Sequence, residues 1–467
     1  MSILDRSRTV AGPGYSKWLI PPAALAVHLS IGQVYAFSVF KTSLVDHFGT
    51  SQTPIAWIFS IAIVMLGLSA AVLGTWVERE GPRKAMVVAA LCWSVGFLIG
   101  SAGIATKQLW LLYLGYGVIG GIGLGIGYIS PVSTLIKWFP DRPGLATGMA
   151  IMGFGGGALI ASPLSNSLMS RFDPDFDAAA KGAVASGHAL TLTFLVLGIA
   201  YLCFMLFGAA LVRVPPADPD TGETRHTAGR GGAQVRAAEA IRTRQFWLLW
   251  VVLFCNVTAG IGILEQAAPM IQDFFRDGST STVTAAAAGG FVGLLSLANM
   301  AGRFVWSSTS DVIGRKPVYM VYLGVGVVLY LLLATAGHTS TAVFVALAAV
   351  IISFYGGGFA TVPAYLKDLF GTLEVGAIHG RLLTAWSAAG VAGPLVVNGF
   401  LDAAGKPGTL TNVDYRPALF TMVGVLVVGF LANLMITDVG REHFDASATS
   451  DDPTDRHADP VSEGARS

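Results

Sequence analysis

Long apolar runs cut by short polar stretches dominate this chain. Twelve runs are long enough to cross a bilayer, near 18–40, 54–77, 85–105, 109–136, 143–170, 188–212, 246–271, 283–310, 317–337, 341–366, 377–401 and 415–437. A hydrocarbon core about 30 Å thick takes roughly 20 helical residues to cross, and a helix satisfies its own backbone polar groups where no water can. Several runs exceed that length, so tilt or extension into the loops is expected. The longest polar interruption, 213–244, is rich in Pro, Gly and Arg and reads as a flexible linker. It separates a bundle over 18–212 from a bundle over 245–437. Residues 1–17 form a polar N-terminus, and the polar tail 438–467 is expected to be disordered. The predicted class is an all-α membrane protein of two six-helix bundles.

The two bundles repeat each other. Pro131 in the fourth run matches Pro363 in the tenth, and Gly148 matches Gly380, both pairs 232 residues apart. Phe139 matches Phe370 and Pro163 matches Pro394, both at 231. Parallel repeats about a pseudo-two-fold along the membrane normal are a transporter architecture. Basic residues set the expected orientation. Arg213, Arg225, Arg230, Arg236, Arg242 and Arg244 lie in the linker, and Arg79, Arg83, Lys84, Lys137, Arg142, Arg315 and Lys316 lie in loops on the same side. Both termini and the linker are therefore expected in the cytoplasm of a multi-pass cell-membrane protein.

Composition agrees with the pattern. The 467 residues are 53% hydrophobic and 12% charged, with mean hydropathy +0.64. That is more apolar surface than a soluble domain of this size needs. A net charge of +1 without a basic stripe gives no case for nucleic acid. Cys92, Cys203 and Cys255 lie in apolar runs without metal or disulfide spacing. No HExxH, GxSxG or His/Cys cluster suggests an enzyme, a metal or a cofactor. The glycines Gly117, Gly120, Gly121, Gly123, Gly125 and Gly127 sit inside a span with no strand before them, so they read as helix packing rather than a dinucleotide site.

Arg303 changes the picture most. It lies within FVGLLSLANMAGRFVW, 291–306, with no acid within a turn or two. A guanidinium keeps its charge at any accessible pH, and placing it in lipid costs about 2.5–3.5 kcal/mol on insertion scales. It should therefore face a protein interior or a watery cavity and meet an anion. The alternatives are an ion pair with a distant acid, or reach toward the interface.

Two loops carry a further signature. One reads Gly74-Thr-Trp-Val-Glu78-Arg79-Glu-Gly81-Pro82-Arg83-Lys84, and the other Ser307-Ser-Thr-Ser-Asp311-Val-Ile-Gly314-Arg315-Lys316. Both resemble the loop between paired helices in the major facilitator superfamily, with Glu78, Arg79, Arg83, Asp311 and Arg315 as a conformational latch. The stretches Gly127-Tyr128-Ile-Ser-Pro131, Lys137-Trp-Phe-Pro-Asp-Arg142, Gly32-Gln-Val-Tyr35 and Asn299-Met-Ala-Gly-Arg303 resemble the oxalate:formate antiporter family and its monocarboxylate-transporter relatives. That resemblance implies that Arg303 pairs with a substrate carboxylate and that Asn299 stands where animal relatives tend to have an acid. It also implies that Trp386 stands where the oxalate transporter is expected to have a lysine.

One fixed cation matches one carboxylate, so lactate, pyruvate or a formate-like anion is expected ahead of oxalate. Tyr35, Tyr128, Tyr355, Leu383 and Trp386 are expected to line the site with Arg303 and Asn299. Glu265 and His28 are candidate proton carriers, with a wetted interface carboxyl and a hydrogen-bonded core histidine as the plainer readings. The expected partners are a small carboxylate, protons or a counter-anion, and the bilayer, with the chain as a monomer. The alternatives are an oxalate:formate-type antiporter and, from another class, a transporter-like membrane sensor.

Overall fold

The computed structural model describes residues 4–50, 52–176, 185–216, 233–277, 280–283, 285–404 and 410–445. The long helices are α1 (Ile20–Ile31), α2 (Gln52–Glu80), α3 (Pro82–Ala105), α4 (ending in Gly121–Trp138), α5 (Pro143–Phe172) and α6 (Gly187–Leu211). The second half holds α7 (Arg244–Phe274), α8 (Ala285–Ile313), α9 (Arg315–Met320 continuing into Gly326–Ala336), α10 (Thr341–Phe370), α11 (Val375–Leu382 followed by Thr384–Ala404) and α12 (Asn412–Leu434). Among the described residues eleven of these units, all but α8, are long and apolar enough to cross a membrane. Among the described residues β-pairing is confined to a two-residue ladder, Arg276–Asp277 with Thr280–Ser281, and a single bridge between Val10 and Val214.

The burial pattern along α8 shows why it belongs to a buried path and not to lipid alone. In α8, Leu295, Asn299, Arg303 and Ser307 recur every four residues and are all buried. Leu294, Leu297, Phe304, Val305 and Val312 are exposed. Residues four apart share a helix face, so α8 turns a polar stripe inward and an apolar surface outward. It packs against α5 of the other half and α10 of its own. The pseudo-equivalent contact joins the first segment of α11 to α2. Gly148 and Gly380 make these crossings possible. A Cβ on Gly148 would run into Ser307 Oγ, and one on Gly380 into the Ala70 carbonyl. Each glycine of the repeat pair thus lets one half press its backbone against the other.

Three expectations need correction. The first apolar run is not one helix over 18–40. α1 ends at Ile31, a 3-10 segment Gly32–Ala36 follows, and a separate helix runs Ser38–Phe48. Gly32 explains the tightening, because its Cα side meets the Phe154 backbone with no room for a side chain. The linker is not loose throughout 213–244. Val214 bridges to Val10, Val235 N–H donates to the Phe370 carbonyl, and Ala237–Ala240 is helical. Arg225 and Arg230 lie outside the described residues. The start of the tail is held in place: Asp445 pairs with Arg236 and donates its N–H to the Gln234 carbonyl at 2.8 Å, and residues 446–467 lie outside the described residues.

Candidate functional site

Arg303 is 0% exposed. The reading in which it reaches the interface therefore fails, and its guanidinium lies inside the protein. Nε donates to Asn299 Oδ1 at 3.0 Å, one turn away on the same face. Nη1 donates to the Ile151 carbonyl on α5 at 3.4 Å, so the bond crosses between halves. Nη2 has no hydrogen-bond partner, and no carboxylate pairs with Arg303 among the described residues. The faces of the group are covered instead by Phe154 at 5.7 Å and Phe359 at 5.3 Å. Aromatic faces stabilise a cation by their quadrupole without neutralising it.

The sequence-expected aromatic residues gather around this charge. Tyr128 on α4 lies 5.5 Å from Phe154 and 5.6 Å from Trp386, ring to ring. Tyr35, on the 3-10 segment, meets Phe154 edge-on at 5.1 Å and Trp386 at 6.4 Å. Trp386 closes against Phe359 at 4.6 Å. The hydroxyls of Tyr35, Tyr128 and Tyr355 are close enough to interact electrostatically with Arg303. All three hydroxyls and Trp386 Nε1 are buried without a well-formed hydrogen bond, Tyr35 standing only loosely against Tyr355 and Tyr128 against Arg303. Leu383 is buried at the break in α11, where its carbonyl accepts from Trp386 N at 3.0 Å.

Buried polar groups normally find partners, and each orphan costs roughly 1–3 kcal/mol. Here Arg303 Nη2, three tyrosine hydroxyls and one indole N–H lack a well-formed hydrogen bond, and every one of them can donate. Such an arrangement suits an anion small enough to be held between rings.

The proton-carrier candidates fare differently. His28 is fully buried, with Nδ1 2.6 Å from the Ala150 carbonyl and Nε2 3.1 Å from the Tyr128 carbonyl. It ties α1 to α5 and α4, which is the plainer reading of the two. Glu265 lies on α7, but its side chain falls outside the described residues. Sequence reasoning missed Phe154, Phe359 and His379. The phenylalanines gave no signal among many apolar residues. His379 lies four residues before Leu383 and seven before Trp386, a helical spacing that already marked this face.

The sequence profile of the Major Facilitator Superfamily matches residues 23–394, with a second match over 280–460. The chain belongs to that superfamily. Among its relatives, the oxalate:formate antiporter of Oxalobacter formigenes is 26% identical over 90% of this chain and 91% of its own length. The apicoplast pyruvate carrier 1 of Toxoplasma gondii is 24% identical over 79% of this chain and 73% of its own. In fold, the E. coli fucose:proton symporter FucP aligns with TM-score 0.66 at 15% identity, over 90% of this chain and all of that chain. The protein is thus a multi-pass membrane transporter and not an enzyme.

In this transporter the two signature loops each bridge the halves. Asp311, ending α8, accepts from Gly144 N at 2.9 Å and Leu145 N at 2.8 Å. These are unpaired donors at the start of α5 in the other half. Glu78, ending α2, accepts from Gly376 N at the start of α11 at 3.0 Å and pairs with Lys137. Arg315 holds Asp311 at 2.6 Å and Asp368 at 3.2 Å. An ionised acceptor at a helix N-terminus is favoured by the aligned peptide dipoles. Two other loop residues are placed differently from the expected latch. Arg83 donates to the Ala209, Ala210 and Val212 carbonyls at the end of α6, within its own half. Arg79 is exposed.

Proposed function

We propose that this chain is a secondary active transporter of a small organic anion, a monocarboxylate in the first instance, exposed alternately to the two sides of a cell membrane. The observation that supports this best is the buried Arg303, whose Nη2 lacks a partner among donors that also lack partners. A single carboxylate would complete that set: one oxygen on the guanidinium and the other on tyrosine hydroxyls or the Trp386 N–H. The two loop contacts close the end of the molecule that carries Glu78 and Asp311. Basic residues around those loops favour that end as cytoplasmic, with both termini on the same side.

The relatives favour one second reading. The antiporter that this chain resembles over 90% of its length is named for oxalate and formate. A dianion at one fixed cation leaves a desolvated negative charge without a partner, which costs several kcal/mol. Monocarboxylates such as lactate, pyruvate or formate therefore come first. Proton symport and anion exchange separate in counterflow: an exchanger requires internal anion, a symporter requires a proton gradient.

The test is a competition panel of lactate, pyruvate, formate and oxalate on purified protein beside Arg303→Ala. Removing one partner of a buried charge pair costs about 3–5 kcal/mol, so lactate affinity should fall at least about 100-fold. The unliganded variant should melt no lower than wild type, since it removes an uncompensated cation. Unchanged affinity in the variant, or strong preference of the wild type for oxalate at neutral pH, would overturn the reading.

A further inference from the structure

His379 is 1% exposed, yet neither ring nitrogen has a hydrogen-bond partner among the described residues. Its ring lies 5.8 Å from that of Tyr128, the residue that also touches Trp386, Phe154 and His28. It occupies the first segment of α11, on the face that continues through Leu383 and Trp386. We propose that His379 is a specificity residue of the anion site, which takes up a proton to balance the second charge of a dicarboxylate. This rests on the reading of Arg303 as the carboxylate-binding cation.

The neighbours leave few other candidates for that role. His28 is the charged-capable group nearest in effect on His379, and both its nitrogens already face backbone carbonyls. From α4, Tyr128 presents a ring and an unpartnered hydroxyl. From α2, Glu78 is bound by Gly376 N and Lys137, nearer the start of the same segment. On its own segment, Arg381 donates to the Ala377 carbonyl and Glu374 accepts from Ala237 N. From α10, which also packs against this segment, Lys367 donates to the Pro140 carbonyl and Asp368 pairs with Arg315.

An imidazole with a free nitrogen accepts one proton and thereby gains a second N–H donor. A second carboxylate beside it favours that protonated form, whereas a monocarboxylate matched by Arg303 does not. Dianion binding then carries a proton, and dianion affinity rises as pH falls. The rise spans the window in which the free ring is neutral and the dianion-bound ring is protonated.

The experiment measures lactate and oxalate binding to the purified full-length protein by calorimetry between about pH 5.5 and 8, where a histidine can titrate. Two buffers of different ionisation enthalpy report protons taken up per anion. The expected result is oxalate affinity climbing toward tenfold per pH unit on acidification, the limit for one coupled proton, with about one proton per oxalate. Lactate affinity should stay nearly flat. His379→Gln should abolish both the oxalate slope and the proton, while the pH profile of lactate binding stays as flat as in the wild type. His379→Asn serves if the glutamine variant does not fold. Oxalate binding without proton uptake, no oxalate binding at any pH, or a slope that survives the substitution would each overturn the proposal. Lactate binding that persists in Arg303→Ala overturns the parent reading instead, so the two failures are separable.

Discussion

Arg303 is held ready by groups that do not neutralise it: an amide oxygen, a carbonyl and two aromatic faces. Asn299 matters as much by the charge it lacks as by the hydrogen bond it accepts from Arg303. With Asn299→Asp, a carboxylate would sit 3.0 Å from Nε in place of the amide oxygen. It would compete with the substrate for the same charge. Lactate affinity at neutral pH should drop by about 10–100-fold, the coupling expected for a partly compensated buried pair. A carboxyl beside a guanidinium stays ionised well below its usual range, so acidification to about pH 5 should restore little. Binding isotherms of the variant at two pH values check this, and wild-type affinity at neutral pH would contradict it. Arg303 and Asn299 were legible in the sequence because a fixed charge in an apolar run carries an unavoidable cost. The Ile151 carbonyl, Phe154 and His379 were not, because nothing local marks which ring or carbonyl a neighbouring helix will bring alongside.

The helices themselves were legible at their centres and less so at their joints. Apolar periodicity located every long helix, but the same residues suit α, 3-10 and π geometry alike. Hence the 3-10 turn at Gly32–Ala36 and the π segments Tyr113–Gly120 and Val321–Val325 left no trace in the pattern. The 3-10 turn has consequences, since it carries Tyr35 into the site. Helix ends were better marked, by the acids that finish α2 and α8. Each caps the start of a helix in the opposite half, and charge-assisted hydrogen bonds contribute roughly 1.5–3 kcal/mol each. Asp311→Asn keeps an acceptor but removes the charge, so the contact between α8 and α5 should weaken. Thr147, one turn beyond Gly144 on α5, is buried and donates to the Ala360 carbonyl on α10 of the other half at 2.7 Å. A cysteine at Thr147, in a background lacking the three native cysteines, should alkylate about tenfold faster when Asp311→Asn is added, matching a loss of about 1.4 kcal/mol. Equal rates would show that this carboxylate does not hold the end closed.

For the whole molecule, alternation requires the halves to separate where they now touch. An ideal Cβ on Gly74 would lie 3.3 Å from Ala377 Cβ and 2.7 Å from its Cα, so a disulfide fits once the two backbones part slightly. The pair Gly74→Cys with Ala377→Cys, oxidised in the cysteine-free background, should therefore lock that end. Anion uptake into proteoliposomes should fall to background and return on reduction. Uptake that continues with the crosslink formed would mean that these helices do not part during transport. The twofold repeat was readable from proline and glycine spacing alone. The way Gly148 and Gly380 face opposite partners across the interface was not, because it depends on how the two halves meet.

If Arg303 binds the anion as proposed, it also makes the carrier electrical. A charge moved through the whole membrane potential exchanges about 2.3 kcal/mol per 100 mV. With a monocarboxylate aboard, the site has no net charge, and its passage between the two faces is indifferent to voltage. Returning empty, the same site carries one positive charge through whatever fraction of the field the rocking sweeps. The potential across the membrane would then act on the unloaded step alone, setting how readily the carrier comes back without cargo.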